Sequence, residues 1–332
     1  MTAKGTALAY CEARKVNSHS NFLLMNIRKT NGLIAAPFTP MRSDGSLNLD
    51  AIADYAQHLQ RDGVVGAFIC GTTGEGASLT LEERRQVAER WIAVAPAGLR
   101  VIVHVGHTCL ADARALATHA QAIGADSIAC LAPFFFKTVG VAGLVEWCAQ
   151  VAAAAPKLPF YFYHMPSMTG VSLAVAEFLP AAAGRIPNLA GIKYTFEDLE
   201  DFGRCLKFDG GRYDVLFGRD ELLHSALKLG ARGAVGSTYN FAAPLYQRLI
   251  AAHDRGDEKA AVVLQAKAVE MIQACIHAGG HPIAVFKTLM RRMEVACGPC
   301  RLPLTNPTAE QAAALLARLE PIGCLAAPAR AA

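Results

Sequence analysis

Eight apolar segments of strand length recur along this sequence, and each is followed by a longer segment with helical spacing or alanine-rich composition. They are Leu33–Phe38, Val64–Cys70, Val101–Val105, Ser127–Leu131, Pro159–Tyr163, Leu189–Ile192, Val215–Phe217 and Gly233–Val235. Strands that are apolar on both faces and alternate with helices are typical of a parallel sheet. Eight such units within about 220 residues predict an α/β protein with a (β/α)8 TIM barrel. An open doubly wound sheet is the alternative, but no G-x-G-x-x-G fingerprint follows the first strand.

The two ends of the chain lack this alternation. After about His253 the strand pattern stops, and helical patterns cover Lys259–Ala278, Ala284–Val295 and Thr308–Leu319. The first thirty residues contain five basic side chains and one acidic side chain, without the apolar segment of a secretory signal. We predict a flexible extension at residues 1–30, the barrel at 31–253, a C-terminal helical region at 254–322 and a tail at 323–332. For the extension, a mitochondrial presequence and an upstream start with Met25 as the true initiator are the alternatives.

Composition narrows the class of protein. Lys and Arg number 32, Asp and Glu number 28, and the 53% of residues that are hydrophobic suffice for a packed core. A net charge of +4 without a basic run gives no sign of a nucleic-acid partner. Charged residues interrupt every apolar stretch before the ~18 residues that a membrane span needs. Ten dispersed cysteines favour reduced thiols, so we expect an intracellular, cytoplasmic protein.

A glycine-rich loop, Cys70–Ser78, follows the second predicted strand. The backbone N–H groups of such a loop suit an anion, and Thr72 and Thr73 add two hydroxyl groups. Thr80 and Glu83 have capping-box spacing for the helix that follows. The loop imitates a nucleotide-binding P-loop, but an alanine occupies the position where that motif needs lysine. We therefore predict a carboxylate site, with a tight turn of ordinary glycines as the alternative.

Two residues at the ends of later strands are candidates for catalysis. Lys193 closes the sixth apolar strand, where burial would lower the pKa of its ammonium group and expose the neutral amine, a nucleophile for carbonyl carbon. Tyr163 ends the fifth strand and shares a strand face with Tyr161, so its phenol would carry protons at the barrel mouth. The residues alone leave a lysine directed to solvent and aromatic core packing as alternatives.

The loops after the seventh and eighth strands carry neighbouring carboxylates and hydroxyls, at Asp220, Glu221 and Ser237. Together at one mouth of a barrel they would suit a polyhydroxylated ligand, and capping of the following helices is the alternative. No metal site is predicted, because the C-x-x-C motif at Cys297–Cys300 stands alone without a second pair.

These motifs, in this order, resemble those of the Schiff-base aldolases of the N-acetylneuraminate lyase and dihydrodipicolinate synthase superfamily. The resemblance extends from about Gly32 to Pro303. It implies that Lys193 forms the imine, that Tyr163 relays protons, and that Thr72 and Thr73 hold the carboxylate of pyruvate.

Within the superfamily, the segments Phe160–Gly170, Asp198–Cys205 and Gly233–Asn240 are most similar to the animal-type N-acetylneuraminate lyases. That similarity implies reversible cleavage of N-acetylneuraminate to N-acetyl-D-mannosamine and pyruvate, without a cofactor, by a homotetramer. The positions that would hold the sugar chain are Thr195, Gly218, Asp220, Glu221 and Ser237.

The sequence also departs from the synthases. Met168 stands where synthases place an arginine for a second carboxylate, and Phe134–Phe136 replaces a segment that supplies a tyrosine to the neighbouring subunit. The alternatives are a related aldolase or hydro-lyase acting on another 2-keto-3-deoxy acid, and a non-catalytic barrel that binds sugar acids.

Overall fold

Eight parallel strands pair in chain order, and the first also pairs with the last, so the sheet closes into a barrel. The computed structural model describes residues 27–325. Its strands are β1 (Gly32–Ala35), β2 (Gly66–Ile69), β3 (Arg100–His104), β4 (Ser127–Leu131), β5 (Phe160–His164), β6 (Leu189–Tyr194), β7 (Asp214–Phe217) and β8 (Gly233–Gly236). The predicted (β/α)8 barrel is confirmed. The sixth strand is longer than predicted, so that Lys193 lies inside it rather than just beyond its end.

Helices surround the barrel and continue past it. Those that follow the strands are α1 (Ala51–Arg61), α2 (Leu81–Val94), α3 (Leu110–Ala122), α4 (Gly140–Ala153), α5 (Pro166–Thr169), α6 (Val175–Ala183), α7 (Leu199–Lys207), α8 (Leu223–Lys228) and α9 (Tyr239–Asp254). The C-terminal helical region contains α10 (Glu258–Ile276), α11 (Pro282–Leu289) and α12 (Ala309–Leu319), and α10 packs against α9, α11 and α12.

Apolar side chains cover both faces of the barrel strands. The interior is filled by residues that include Ile34, Phe68, Ile102, Tyr161, Tyr163, Leu216 and Val235. Because successive side chains of a strand alternate between its faces, Tyr161 and Tyr163 share the interior as predicted. Phe162 points outward and packs against Phe178 of α6. Burial on both faces explains why the strands are continuous apolar runs in the sequence.

Local signals set the ends of two helices. At α2 the predicted capping box forms: Glu83 N–H donates to Thr80 Oγ1 at 3.1 Å, and Thr80 N–H donates to the Glu83 carboxylate at 2.9 Å. The helix predicted over Ala284–Val295 is wrong at both ends. It starts at Pro282, after His281 has accepted the N–H of Ile283, and it gives way at Leu289 to a 3₁₀ turn that ends at Glu294 with φ of 61°.

The chain termini are partly described. Residues 1–26 of the predicted extension and 326–332 of the predicted tail lie outside the described residues. Thr30, which the sequence assigned to the extension, is buried and donates to Asp214 from both its N–H and its hydroxyl. Cys324, assigned to the tail, is also buried. The packed chain therefore extends beyond the predicted boundary at each end.

No helix between residues 27 and 325 is both long and apolar enough to cross a membrane. In the same range, no three His, Cys, Asp or Glu side chains converge as a metal ion would require. The cysteines of this part of the chain are free thiols, and all but Cys109 are buried.

Candidate active site

One cavity of about 260 Å³ opens at the carboxyl ends of the barrel strands. All nine residues that the sequence predicted for the site line it: Thr72, Thr73, Tyr163, Lys193, Thr195, Gly218, Asp220, Glu221 and Ser237. They come from the ends of β2, β5, β6, β7 and β8 or from the loops that follow. A barrel closes these five strand ends onto a common mouth, which is where TIM barrels place their chemistry.

Lys193 is the buried cation of this cavity. Only 4% of the residue is exposed, and its Nζ lies 3.8 Å from the centre of the Phe68 ring and 4.0 Å from that of Tyr163. Burial lowers the pKa of the ammonium group to about 7, although the charge of Asp220 opposes the shift. About half of the amine is therefore neutral at pH 7, against about one in 2,500 for a lysine in water.

Tyr163 places a phenol beside this amine. Its Oη lies 2.9 Å from Met165 Sδ and 3.4 Å from Thr72 Oγ1. Burial raises the pKa of the phenol to about 12, so the group keeps its proton at neutral pH. A neutral phenol transfers protons only by accepting one while it passes another on, and the Thr72 hydroxyl is within reach of that second transfer.

The loop after β2 is a preformed cradle. The Thr73 hydroxyl lies 2.7 Å from the Ser237 hydroxyl, and Thr39 Oγ1 donates to Gly74 O at 2.6 Å. Within the described part of the chain, the main-chain N–H groups of Thr72 and Thr73 donate to no other residue. Two N–H groups with unused hydrogen-bonding capacity and two hydroxyls suit a carboxylate.

Asp220 supplies a buried carboxylate to the opposite wall. Its Oδ2 accepts the N–H and hydroxyl of Thr238 at 3.1 and 2.6 Å, while Oδ1 has no partner among the described residues. Burial raises the pKa of the carboxyl group to about 6. Gly236 leaves room for it, because a Cβ there would lie 2.0 Å from Oδ1. The buried Tyr239 hydroxyl interacts with this carboxylate and lowers its pKa, without forming a full hydrogen bond to Oδ1. A carboxylate oxygen has two lone pairs, so Oδ1 can still accept a hydrogen bond from a ligand hydroxyl.

Thr195, beside Lys193, provides a second buried group that a ligand could hydrogen-bond. Its buried Oγ1 has no partner within the described residues, and a Cβ at Gly218 would lie 2.1 Å from it. Glu221, further out, is partly exposed and lies 3.9 Å from Arg219. The wall formed by β6, β7 and the loops that follow is thus rich in acceptors, as a polyhydroxylated ligand requires.

Sequence analysis missed the residues that the C-terminal region contributes. His281, Phe286 and Ile272 line the cavity together with Met165. The segment Gly279–Pro282 lies between two predicted helices, and nothing in its composition shows that it reaches the barrel mouth. α10 reaches the cavity because it packs against the short turn Asp220–Leu222 that follows β7, and α11 packs against α10.

A second cavity of about 440 Å³ adjoins the first, and Thr72, Met168 and His281 line both. The loop segment that replaces the synthase tyrosine lies near it, with Phe134 among the lining residues. Phe135 and Phe136 point outward and are 75% and 86% exposed. No aromatic hydroxyl is therefore available from this segment.

Comparison with known proteins decides the family. The sequence matches the dihydrodipicolinate synthetase family over residues 29–321, nearly the whole chain. The chain belongs to this family.

Its relatives narrow the resemblance further. The N-acetylneuraminate lyase of Mus musculus is 42% identical to this family member over 305 residues, which cover 91% of this chain and 95% of that protein. The N-acetylneuraminate lyase of Homo sapiens is 41% identical over 287 residues, covering 85% and 89%. Among solved structures, that of Proteus mirabilis N-acetylneuraminate lyase has a TM-score of 0.87 at 42% identity and covers 90% of this chain and 100% of its own. The resemblance that the motifs indicated is confirmed.

Proposed function

We propose that this protein cleaves N-acetylneuraminate reversibly to N-acetyl-D-mannosamine and pyruvate through a covalent imine on Lys193. The observation that carries the proposal is a buried amine that shares one cavity with a phenol and the carboxylate cradle, where burial lowers the pKa of the amine to about 7. The names of the relatives that span most of the chain support the choice of substrate.

The covalent step begins with the open-chain sugar acid. Its carboxylate binds the N–H groups and hydroxyls of Thr72 and Thr73, which brings the C2 ketone to Lys193. The neutral amine adds to C2, the resulting carbinolamine takes up one proton from solvent, and loss of water leaves a protonated imine. This cation withdraws the electron pair of the C3–C4 bond as the bond breaks, giving an enamine of pyruvate and the free aldehyde.

Proton transfer falls to Tyr163. Cleavage requires the C4 hydroxyl to lose its proton. A phenol with pKa about 12 keeps its own proton at neutral pH, so Tyr163 accepts the C4 proton only as it passes its own on. Thr72 Oγ1, 3.4 Å from the phenol oxygen, and the substrate carboxylate are the acceptors. Proton transfer through these groups in the reverse direction protonates C3 of the enamine. Hydrolysis of the resulting imine then frees pyruvate and the amine.

The sugar chain of the substrate lies along the acceptor-rich wall. Asp220 Oδ1 and Thr195 Oγ1, both buried and without partners among the described residues, accept or share its hydroxyl protons. Glu221, Ser237 and the backbone at Gly218 complete that wall. Lys193 provides the electron sink, so the reaction as proposed uses no cofactor.

The proposal extends to a homotetramer in the cytoplasm. The resemblance implies the tetramer, and the exposed aromatic side chains of Phe135 and Phe136 give an apolar surface that a partner subunit would cover. The free thiols favour a reducing compartment.

Reductive trapping tests the mechanism. The protein is incubated with pyruvate and borohydride, and the modified peptide is located by mass spectrometry. We expect one adduct, on Lys193, and none in Lys193→Met. Lys228→Met, which removes an exposed lysine paired with Glu258, is the matched control and should label fully. Absence of an adduct in the unaltered protein would favour the non-catalytic, sugar-acid-binding alternative.

Substrate choice needs a separate assay. Pyruvate release is measured over a panel of sialic acids and shorter 2-keto-3-deoxy acids. We expect the highest kcat/KM with N-acetylneuraminate. Faster release from a shorter acid, with labelling of Lys193 intact, would instead assign a related aldolase.

A further inference from the structure

The side chain of Glu75 is a buried carboxylate in the same loop as Thr72 and Thr73. Glu75 directly follows Gly74 in the loop, has a left-handed backbone with φ of 55°, and its side chain is fully buried. It does not line the catalytic cavity. A non-glycine residue in this conformation is held there by its surroundings, at some conformational cost.

The partner of Glu75 comes from the C-terminal helical region. Lys287 of α11, itself 1% exposed, places its Nζ 2.7 Å from Glu75 Oε1 and 2.7 Å from Pro299 O. The other carboxylate oxygen accepts the N–H of Arg301 at 2.8 Å. Lys287 and Arg301 therefore hold the Glu75 side chain, although both lie more than 200 residues further along the chain.

A second attachment lies next to the first. The guanidinium group of Arg301 donates to both carboxylate oxygens of Glu83 at 2.8 and 2.5 Å and to Ser78 O at 3.2 Å. Glu83 is the capping residue of α2, so Arg301 fixes the end of the loop as Lys287 fixes its middle. A bidentate pair of this kind constrains geometry as well as distance.

The backbone carries this constraint to the cradle. Glu75 N–H donates to Thr72 O at 3.1 Å, and Gly76 N–H donates to Gly71 O at 3.0 Å. The orientation of the Thr72 and Thr73 peptide groups is thereby tied to the position of Glu75. A buried ion pair adds little net stability compared with apolar packing, so its place behind the cradle calls for another explanation.

We propose that Lys287 and Glu75 are positioning residues for the substrate carboxylate. The ion pair fixes the loop so that the N–H groups and hydroxyls of Thr72 and Thr73 converge on one anion. The C-terminal helical region is then part of the catalytic apparatus without touching the reacting atoms. This inference rests on the proposed function, because it assumes that the cradle binds the carboxylate of pyruvate.

Two ketones test the inference on the full-length protein. Pyruvate has the carboxylate and acetone lacks it, and both form an imine that cyanoborohydride traps on Lys193. In Lys287→Met and in Glu75→Gln, we expect the pyruvate concentration for half-maximal trapping to rise about 10- to 100-fold, as misplacement of binding groups does. The concentration dependence for acetone should stay unchanged, because acetone does not use the cradle.

Controls separate this role from a structural one. A single substitution leaves one buried charge without its partner, so the double variant Glu75→Gln with Lys287→Met serves where a single variant fails to fold. Lys287→Arg, which keeps the charge, should restore part of the pyruvate affinity, and Lys228→Met should behave as the unaltered protein.

The outcomes are distinguishable. Equal losses for pyruvate and acetone, or no loss for pyruvate, would overturn the positioning role while leaving the imine mechanism intact. Failure of the unaltered protein to trap pyruvate at all would instead overturn the proposed function.

Discussion

The two ends of the barrel each hold a buried aspartate, and their surroundings differ. At the amino end, Asp214 Oδ2 accepts the N–H and hydroxyl of Thr30 at 3.1 and 2.8 Å and the hydroxyl of Tyr161 at 3.0 Å. At the mouth, Asp220 Oδ2 is satisfied by Thr238, while its Oδ1 has no partner among the described residues. The same residue type therefore closes one end and leaves the other ready for a ligand.

The two interior tyrosines of β5 repeat this contrast. Tyr161 uses its hydroxyl to complete the cluster around Asp214. Tyr163, two residues later on the same face, makes a long contact of 3.4 Å to Thr72 and lies beside the sulfur of Met165. Satisfied polar groups stabilise a fold, whereas unsatisfied buried ones cost free energy that ligand binding can recover. Five predictions follow from these contrasts.

Lys193→Met should have the largest effect. The side chain that forms the imine is lost while an apolar chain of similar length fills its place, so we expect lyase activity to fall at least about 10⁴-fold. Initial rates of pyruvate release measure the loss. Turnover within tenfold of the original would remove Lys193 from the mechanism.

The same variant should be more stable. The folded protein holds this amine at a pKa of about 7, against 10.5 for an exposed lysine, and thus gives up protonation free energy on folding. Removing the amine should raise the free energy of unfolding by up to about 5 kcal/mol. The gain should be complete below pH 7 and should fade as pH rises towards 10.5, which urea denaturation at several pH values can measure. A gain that grew with pH would contradict the assigned shift.

A matched pair of tyrosine variants separates the two ends. Tyr163→Phe should lower kcat about 10²- to 10⁴-fold while pyruvate trapping on Lys193 persists, because only proton transfer is lost. Tyr161→Phe should retain activity and lose about 1–2 kcal/mol of stability, because it removes one of the hydrogen bonds to Asp214. Parallel kinetics and thermal unfolding of both variants decide the matter. Similar losses of activity and of stability in both variants would mean that the two ends do not differ in function as we expect.

Replacing the two aspartates should separate the same two roles, stability at the amino end and substrate binding at the mouth, with smaller effects. Asp214→Ala leaves Thr30 and Tyr161 without their acceptor, so we expect a loss of about 2–4 kcal/mol of stability. Asp220→Ala leaves the Thr238 hydroxyl its contact to Tyr246 at 2.8 Å, and the Thr238 N–H loses its acceptor, so we expect a smaller loss of about 1 kcal/mol of stability. The KM for the sugar acid should then rise about tenfold. A larger stability loss at Asp220 than at Asp214 would reverse the comparison.

The smallest effect is a shift in pH dependence. Exchange of the pyruvate methyl hydrogens with D₂O, followed by NMR, reports enamine formation. Its rate should rise as pH increases towards about 7 and level off above, because the neutral amine is the reactive form. Asp220→Asn should move this midpoint to lower pH, since the Asp220 charge raises the pKa of Lys193. A midpoint that stayed fixed in this variant would show that the two groups do not interact.

Sequence reasoning predicted the barrel because its strands are buried on both faces and stand out as apolar runs. Strand ends also pointed to seven of the nine cavity residues, because the end of a parallel strand can be located without knowledge of its partners. Thr195 and Gly218 were predicted from the family resemblance alone. The pKa of Lys193 was predicted by the same logic, because a lysine within an apolar strand has little access to water.

Contacts between distant segments were beyond this reasoning. Glu75 and Lys287 are 212 residues apart, and no sequence motif links the two positions. The extent of packed chain at Thr30 and Cys324 depends on contacts of the same kind, with Asp214 and with the C-terminal helices. Periodicity reports which face of an element is buried, and it does not report which element covers that face.

The residues that support the carboxylate loop are synthesised after the barrel strands. All eight barrel strands have left the ribosome once Gly236 emerges, but Lys287 and Arg301 follow only some 50 to 65 residues later. A nascent chain can thus close its barrel around the reactive lysine while the loop that receives the carboxylate still lacks its support. We therefore expect tight binding of a ketone that carries a carboxylate only after the segment with Lys287 and Arg301 has been made, whereas a ketone without a carboxylate needs Lys193 alone.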